Sequence, residues 1–462
     1  MAHPYMPNST PEALASMLAA VGVDDVEALF EQIPDDHRMS RPLDLPPGIR
    51  AEATLDRQMR TLLSRNRSTA DSINFLGAGL WQHHVPAVCD EIAGRSEFVT
   101  PVWGTPSSDF GRNQAWFEWA SQLGELLGMD FVGLPVYSWG AAAGYAVRMA
   151  ARMTERDEVV VAGPMDPERL AVLRTYCGPA EMDRSLTVRA VGYDATTGRI
   201  DLDAVAAAIG PRTAAVYFEN PNHLGVLEAE AGEIAALART SGAETVVGVD
   251  PISLGIIAPP SDYGVDIAVG STQPLGVHLN AGGGVGGFIA TRDEERYARQ
   301  YPTLQVSIAS TREPGQRSFG MTLFGQSSYG AREDGNDWTG NSVYLWAVVN
   351  AVYMALMGPQ GFAEIGTTIS ANSAWAAKQV AQVPGVRVRW PGFFKEFVID
   401  FADTGRTVAE INAVLREANI FGGKDLSTDF PELGQSALYC VTEVHTREDI
   451  DTLVSALKEA VA

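Results

Sequence analysis

The middle of the chain alternates short apolar runs with amphipathic segments. Runs of Val, Ile, Ala and Phe bounded by turn residues predict strands at 157–163, 186–193, 213–222, 244–250, 265–271 and 286–291. The segments PERLAVLRTYC, DLDAVAAAI and EAGEIAALARTSG between them have the apolar spacing of helices. Because the strand runs are continuously apolar, we expect a mostly parallel sheet buried on both faces, in an α/β domain. Such sheets bind ligands at the carboxyl ends of their strands.

Helical patterns lie on both sides of this region. Residues 10–67 predict amphipathic helices, the first with an N-cap and a proline in Ser9-Thr10-Pro11-Glu12. Residues 340–380 predict long helices, and the remainder alternates strand and helix. We therefore predict three parts: an N-terminal helical arm of the kind that wraps a partner subunit, a large α/β domain, and linking helices with a small C-terminal α+β domain. Their predicted bounds are 1–70, 71–340 and 341–462.

Composition excludes several classes of partner. A net charge of −23 argues against binding to nucleic acid or to anionic membranes. No apolar stretch is long enough to cross a bilayer, and the N-terminus has no signal-peptide pattern, so we expect a cytoplasmic protein. The cysteines lie far apart and are expected to be reduced thiols: Cys89, Cys177 and Cys440.

Lysine is scarce in this chain. Only four of the 34 basic residues are lysines, namely Lys378, Lys395, Lys424 and Lys458. The first 377 residues therefore contain no side-chain primary amine. An enzyme that holds an aldehyde cofactor as a Schiff base needs such an amine.

Two positions could belong to a cofactor site. Asp250 ends an apolar strand, where a carboxylate can pair with the pyridine nitrogen of pyridoxal phosphate (PLP) or simply cap the next turn. The segment 136–153 is a turn leading into an Ala/Gly-rich helix. With Ser138 and Gly140, its N-terminus could cradle a phosphate, or its small residues could allow close helix packing.

The histidines give weaker signals. His83 and His84 are adjacent, but no third ligand stands at metal-site spacing, so we predict no metal. His278 follows a predicted strand and is a candidate beside the pocket. The glycine run 280–287 lacks the order and the lysine of a phosphate-binding P-loop.

The stretch 265–287 joins a buried strand, a polar turn and this glycine run. A large family of PLP enzymes has a stretch of this construction, and its turn carries the lysine that binds the cofactor. Here the turn contains Ser271, Thr272 and Gln273 instead.

The order of these segments resembles subunit 1 of the two-subunit glycine dehydrogenase (decarboxylating), the P-protein of the glycine cleavage system. The resemblance covers nearly the whole chain and rests on strings such as FLGAGLWQHHVPAV, NPNHLGVLE, VDPISLGIIAPPSDYGVDIAVGSTQPLGVHL, FFKEFVIDF and LYCVTEVHTREDIDTLVSALKEA. It implies the fold-type I architecture of PLP-dependent transferases.

The resemblance also implies that the two subunits have different roles. A sibling subunit carries the Schiff-base lysine and the PLP, in a heterodimer or heterotetramer that acts on an amino acid and admits a lipoyl carrier protein as a further partner. This chain has Gln273 near the lysine position and completes the sibling's active site. Asp250 and Gly140 would then be remnants of a cofactor site.

Four segments depart from the family pattern while the scaffold strings match: 102–114, 137–141, 332–341 and 219–222, where Glu219 stands in place of the family's glutamine. The family strings at these places face the sibling's PLP, so we take their polar and aromatic members, with His278, as substrate-pocket candidates. An arginine among them suits a substrate carboxylate. The candidates are Trp103, Thr105, Ser107, Ser108, Tyr137, Ser138, His278 and Arg332.

These departures favour a diverged subunit that acts on a substrate other than glycine, or in a different reaction of glycine. Two alternatives stay open. One is the ordinary subunit 1 of glycine dehydrogenase (decarboxylating). The other is a non-catalytic scaffold with the same fold.

Overall fold

We describe the chain from a computed structural model. It describes residues 5–39, 41–99, 106–181, 184–322, 331–336, 338–339 and 342–462. The chain divides into two units, Met1–Arg67 and Ser68–Ala462. The predicted bounds of the large and small domains, at residues 70 and 340, remain our proposal.

The first unit contains two helices joined by short 3-10 turns and extended chain. Helix α1 begins after Thr10, whose hydroxyl accepts a hydrogen bond from the Ala13 N–H at 3.3 Å, and ends at Gly22 in a left-handed conformation with φ 83°. The predicted N-cap is therefore confirmed. No residue of either helix is buried.

The helices of the described residues are numbered here in chain order. They are α1 (Pro11–Val21), α2 (Glu52–Leu63), α3 (Ala87–Ala93), α4 (Pro106–Leu127), α5 (Trp139–Thr154), α6 (Pro167–Cys177), α7 (Leu202–Ala208), α8 (Ala231–Ser241), α9 (Glu295–Ala298), α10 (Tyr344–Val380), α11 (Val408–Glu417) and α12 (Arg447–Val461).

The strands are numbered in the same way. They are β1 (Ile73–Asn74), β2 (Phe131–Val132), β3 (Glu158–Ala162), β4 (Thr187–Val191), β5 (Tyr193–Asp194), β6 (Arg199–Ile200), β7 (Thr213–Glu219), β8 (Glu244–Val249), β9 (Ile267–Ser271), β10 (Gly287–Thr291), β11 (Gln305–Ser310), β12 (Arg317–Thr322), β13 (Arg387–Val388), β14 (Glu396–Asp400), β15 (Ile420–Phe421), β16 (Lys424–Asp425) and β17 (Ser436–Cys440).

A seven-stranded sheet with the order β2-β10-β9-β8-β7-β3-β4 forms the centre of the second unit. The neighbours from β4 through β3, β7 and β8 to β9 are parallel, whereas β10 is antiparallel to both β9 and β2. All six predicted strands are confirmed, as is the mostly parallel sheet. Helices α6, α7 and α8 lie between successive parallel strands in the chain.

Both faces of this sheet are buried, as the continuous apolar runs predicted. Side chains of one strand point alternately to opposite faces. In β3, Val160 joins one hydrophobic cluster, while Val159 and Val161 join another with helix α5. In β8, Val247 and Val246 divide between the same two clusters.

The C-terminal region has its own sheet and core. Strands β13, β14, β17 and β16 form an antiparallel sheet in that order. Helices α11 and α12 and the end of α10 pack on it through a third hydrophobic cluster, which includes Val380, Ile411 and Leu457. Lys395 lies directly before β14, so this sheet determines where its side chain points.

The structure differs from the sequence-based expectation in two places. Residues 344–380 form one run of helix with a kink at Gly358, where φ is 57°, before Pro359. The hairpin β11–β12 was not predicted, because most residues of β11 are exposed and its apolar alternation is weak. Among the described residues, no helix is long and apolar enough to cross a membrane.

A matched pair of leucines tests the core assignment. Leu123 in α4 is fully buried, whereas Leu356 in α10 is 58% exposed. We expect Leu123→Ala to lower the free energy of unfolding by about 3–5 kcal/mol, because it leaves a cavity, and Leu356→Ala to change it by less than about 1 kcal/mol. Urea titration measures both values, and equal losses would contradict the assignment.

Candidate functional site

The carboxyl ends of the parallel strands bring polar residues together at one edge of the sheet. Asp250 directly follows β8, Glu219 is the last residue of β7, and Gln273 lies two residues beyond the end of β9. Asp166 lies between β3 and α6, where its carboxylate caps the helix by accepting from the Arg169 N–H at 3.0 Å. This edge is where ligands of parallel sheets bind.

Asp250 is paired with a lysine that directly precedes β14 of the C-terminal sheet. The Nζ atom of Lys395 lies 2.7 Å from Oδ2 of Asp250, and both residues are 3% exposed. The other carboxylate oxygen, Oδ1, accepts a hydrogen bond from the Ile252 N–H at 3.1 Å. Asp250 therefore caps the following turn, which is one of the two alternatives predicted from the sequence. Its other carboxylate oxygen pairs with the Lys395 ammonium group.

The Lys395 ammonium group also belongs to a series of buried hydrogen bonds. Lys395 Nζ lies 3.1 Å from His83 Nε2, and His83 Nδ1 lies 2.8 Å from Glu443 Oε2. Because an ammonium group can only donate, Nε2 of His83 accepts and Nδ1 carries the proton donated to Glu443. The other Glu443 oxygen accepts from the His84 N–H at 2.8 Å.

Glu443 is strongly stabilised as a carboxylate. Burial opposes its ionisation, but the His83 imidazole and the His84 N–H overcome this effect and lower the pKa of Glu443 to about 2. Both ring nitrogens of His83 are thus engaged, one by Lys395 and the other by Glu443.

Trp81 covers the same ammonium group. Its ring centroid lies 3.5 Å from Lys395 Nζ, within the range of a cation–π interaction. The backbone N–H of Trp81 donates to Gln273 Oε1 at 3.2 Å, and Gln273 Nε2 donates to the Val277 carbonyl at 3.2 Å. The glutamine at the position implied for the Schiff-base lysine therefore holds the segment that carries Trp81.

A second buried ion pair completes the sheet edge. Arg169 donates to both oxygens of Glu219, at 2.9 and 2.8 Å, and its guanidinium lies 4.1 Å from the ring centroid of Trp139. Burial disfavours the charge of Arg169, but Glu219 and Asp166 outweigh burial and raise its pKa. The arginine side chain and the Trp139 ring thus occupy the space between β7 and the start of α5.

Close backbone approach is required at two glycines near these residues. Gly79 has φ 95°, and a Cβ there would lie 2.2 Å from Arg169 Nη1. Gly225, with φ 86°, would place a Cβ 2.0 Å from the Glu396 carbonyl oxygen. Both positions need glycine for conformation and for space.

The space left at this edge is small. A cavity lined by Trp81, Trp139, Arg169, Asp250 and Lys395, among others, has a volume of about 20 Å³. This is room for about one water molecule. PLP does not fit the residues present: the carboxylate for its ring nitrogen is already paired, no amine stands at residue 273, and side chains fill the cavity.

The remaining predicted residues lie elsewhere. Ser138 is the N-cap of α5, where its Oγ accepts from the Ala141 N–H at 3.1 Å, and a Cβ on Gly140 would lie 3.1 Å from Val172 in α6. This use in capping and helix packing matches the structural alternative for the segment 136–153. His278 is exposed, with Nε2 2.9 Å from Asp90 Oδ1, and is not among the residues that line the cavity.

Two of the altered segments do meet. The hydroxyl of Tyr137 donates to the Thr339 carbonyl, and Tyr137 remains 41% exposed. Arg332 is exposed, in a 3-10 turn with φ 52°. Ser107 and Ser108 lie in the first turn of α4, whereas Trp103 and Thr105 lie outside the described residues.

Sequence reasoning missed the residues that fill the sheet edge. Lys395, Glu443 and Arg169 come from separate places in the chain, and no local spacing joins them. One signal was available, since Lys395 lies between aromatic residues and a strand in FFKEFVIDF, where a lone lysine needs a buried partner.

The chain is similar to known proteins over nearly its whole length. The sequence profile of the family described as glycine cleavage system P-protein matches residues 3–457. The probable glycine dehydrogenase (decarboxylating) subunit 1 of Staphylothermus marinus is 34% identical over 467 residues, which cover 99% of this chain and 98% of the relative. The protein of the same name from Carboxydothermus hydrogenoformans is 36% identical, covering 98% and 99%.

Solved structures are similar to this chain in fold. The crystal structure of a glycine decarboxylase (P-protein) of the glycine cleavage system, in inhibitor-bound form, has a TM-score of 0.86 at 32% identity and covers 99% of this chain and 100% of that one. A sphingosine-1-phosphate lyase of Burkholderia pseudomallei, at 15% identity, has a TM-score of 0.64 over 91% of this chain and 93% of its own, and shows the fold alone. The predicted fold-type I class is confirmed.

Restoring a lysine at the turn is not expected to restore cofactor binding. In Gln273→Lys, the Lys395 side chain still occupies the sheet edge and Asp250 is still paired with it. We expect no aldimine absorbance when PLP is added, with Gln273→Met as the control of similar length. A borohydride-reduced PLP adduct at residue 273, found by peptide mass mapping, would show that the site is open.

The lowered pKa of Glu443 predicts that the stability of the chain depends on pH. Its pKa lies well below the ordinary value of 4.5, so its contribution is complete above pH 4.5 and is lost as pH falls toward 2. We expect Glu443→Gln to destabilise the chain by about 1–3 kcal/mol at pH 7, because the His83 and His84 donors lose a carboxylate.

The difference between wild type and Glu443→Gln, measured by urea titration, should therefore shrink below pH 4.5. The control is Glu459→Gln, an exposed position on α12 that should behave as wild type throughout. A difference that stays constant down to pH 3 would contradict the assignment.

Proposed function

The chain belongs to the glycine cleavage system P-protein family, and on that premise we propose that it is the subunit without cofactor of a heteromeric glycine decarboxylase. The observation that supports the proposal is the closed sheet edge, where Lys395 pairs with Asp250 against the face of Trp81 and a cavity of only about 20 Å³ is left. When bound by the sibling, PLP would supply the electron sink for the carbanion formed on decarboxylation. Our chain would contribute shape and polar contacts.

The exposed apolar side chains of the N-terminal unit favour the presence of a partner subunit. Of the 26 exposed large apolar side chains in the described residues, 17 lie between Tyr5 and Leu63. Helix α2 presents Leu55, Met59 and Leu62 at helical spacing, all exposed. Exposed apolar side chains on one face of a helix are typical of an interaction surface. We propose that the sibling subunit covers them.

The surface around Tyr137 is our candidate for the contact with the sibling's active site. It joins the altered segments 137–141 and 332–341 through the hydrogen bond from Tyr137 to the Thr339 carbonyl. With its ring 41% exposed, Tyr137 can present an apolar face to a substrate or to the sibling. Arg332, also exposed, could pair with a substrate carboxylate.

Glycine is the substrate that the comparisons favour. Full-length relatives at 34–36% identity are named as subunits of the glycine enzyme, so we propose the ordinary alternative rather than the diverged one preferred from the sequence. The changed segments 102–114, 137–141 and 332–341 favour a different substrate as the second candidate. We also propose a cytoplasmic location and a lipoyl carrier as acceptor.

Reconstitution tests the proposed function. The chain is co-expressed with its sibling, and exchange of labelled CO2 with the carboxyl group of glycine is measured with a lipoyl carrier present. We expect exchange to require both subunits and to exceed exchange with alanine or serine. A complex that binds PLP but prefers another amino acid would support the second candidate. If no PLP-bearing partner co-purifies, the chain would be a scaffold.

Substitutions on α2 test the partner surface. We expect Leu62→Asp to weaken association with the sibling by about 10- to 100-fold, because it removes about 1.5–3 kcal/mol of apolar burial. Gln58→Asp on the same exposed helix adds the same charge and is the control. Sedimentation of the mixed subunits measures the association constant of each variant. Equal weakening by Leu62→Asp and Gln58→Asp would contradict the proposed interface.

A further inference from the structure

The Lys395 ammonium has the surroundings of a bound organic cation. A carboxylate, an imidazole nitrogen and an aromatic face lie within 2.7 Å, 3.1 Å and 3.5 Å of its Nζ atom, contributed by Asp250, His83 and Trp81. Carboxylates and aromatic rings are the groups that recognise ammonium ligands. All four residues are at least nine-tenths buried.

The cation also lies at a particular place in the fold. Asp250 follows the central strand β8, at the sheet edge where the fold binds its ligands. A carboxylate there would pair with the protonated ring nitrogen of PLP. We propose that Lys395 is an internal ligand, whose ammonium group replaces that ring nitrogen and closes the site as a permanent structural centre.

Gln273 acts in this arrangement as a positioning residue. Its Oε1 accepts from the Trp81 N–H, so it holds the ring over the ammonium group, and it donates to Val277 within its own turn. The two positions that would bind the cofactor, Asp250 and residue 273, therefore both hold the residues that replace it. The inference concerns this chain alone and does not depend on the reaction of the complex.

A consequence follows for a chain without Lys395. Truncating it leaves a buried carboxylate beside an aromatic face, with a cavity the length of a lysine side chain. An unpaired buried carboxylate is strongly destabilising. Small primary ammonium ions should enter and restore the pair, since Asp250 and Trp81 remain in place.

The experiment compares Lys395→Ala with Lys378→Ala, an exposed lysine on α10. We expect Lys395→Ala to lower the melting temperature by several degrees and Lys378→Ala to leave it unchanged. Millimolar n-propylammonium should raise the melting temperature of Lys395→Ala and not that of wild type. Tetramethylammonium, a bulkier cation without a hydrogen-bond donor, should not.

A second variant keeps the test decisive if Lys395→Ala folds poorly. In Lys395→Ala/Asp250→Asn both charges are removed, so the chain should be more stable than the single variant and should not respond to n-propylammonium. Absence of rescue in a folded Lys395→Ala, or equal rescue in the double variant, would overturn the proposal.

Cofactor binding gives an independent outcome. Pyridoxine phosphate has no aldehyde and cannot form Schiff bases, so its binding reports the site itself. We expect no binding to the wild-type full-length chain. Saturable binding that is lost in Asp250→Asn, or a reduced PLP adduct on Lys395, would overturn the proposal. The glycine exchange of the reconstituted complex is a separate readout, so failure here would leave the proposed function standing.

Discussion

The buried ion pair between Lys395 and Asp250 is the constraint on which the sheet edge depends. Two charges removed from water are stable only when each is paired and hydrogen-bonded. His83 and the face of Trp81 supply the rest of the coordination of the ammonium group, and Ile252 supplies the second hydrogen bond to the carboxylate. Each partner is held in turn by another contact, so few of these residues could change singly without leaving a polar group unpaired.

This network joins parts of the chain that are far apart in sequence. Asp250 follows strand β8 of the large sheet. Lys395 precedes β14 and Glu443 follows β17 of the C-terminal sheet, and Trp81 and His83 lie between β1 and α3. A ligand site at such a junction normally leaves space for substrate and freedom for the parts to move. Here the junction is filled with side chains. The sheet edge where this fold binds ligands therefore holds the large sheet and the C-terminal region together.

The surfaces that we propose for function are exposed. The described part of the first unit exposes 17 large apolar side chains, and two of the altered segments meet at Tyr137 and Thr339. A closed sheet edge, together with exposed apolar side chains in the first unit, fits our proposal that this chain completes a partner subunit. The chain belongs to the P-protein family, and we propose the residues around Tyr137 as the place where a difference in substrate would arise.

Local patterns in the sequence determined the strands of the sheet, the cap at Thr10, the absence of a lysine at residue 273 and the family resemblance. These depend on neighbours a few residues apart, whose periodicity and identity are visible in the chain itself. The sequence left Asp250 as either a cap or a cofactor partner, and placed His278 beside the pocket. Only the tertiary structure decided that Asp250 caps its turn and binds Lys395, and that His278 lies at the surface. The physical reason is that Lys395 is 145 residues from Asp250 in sequence, and only the packing of two sheets brings them within 2.7 Å.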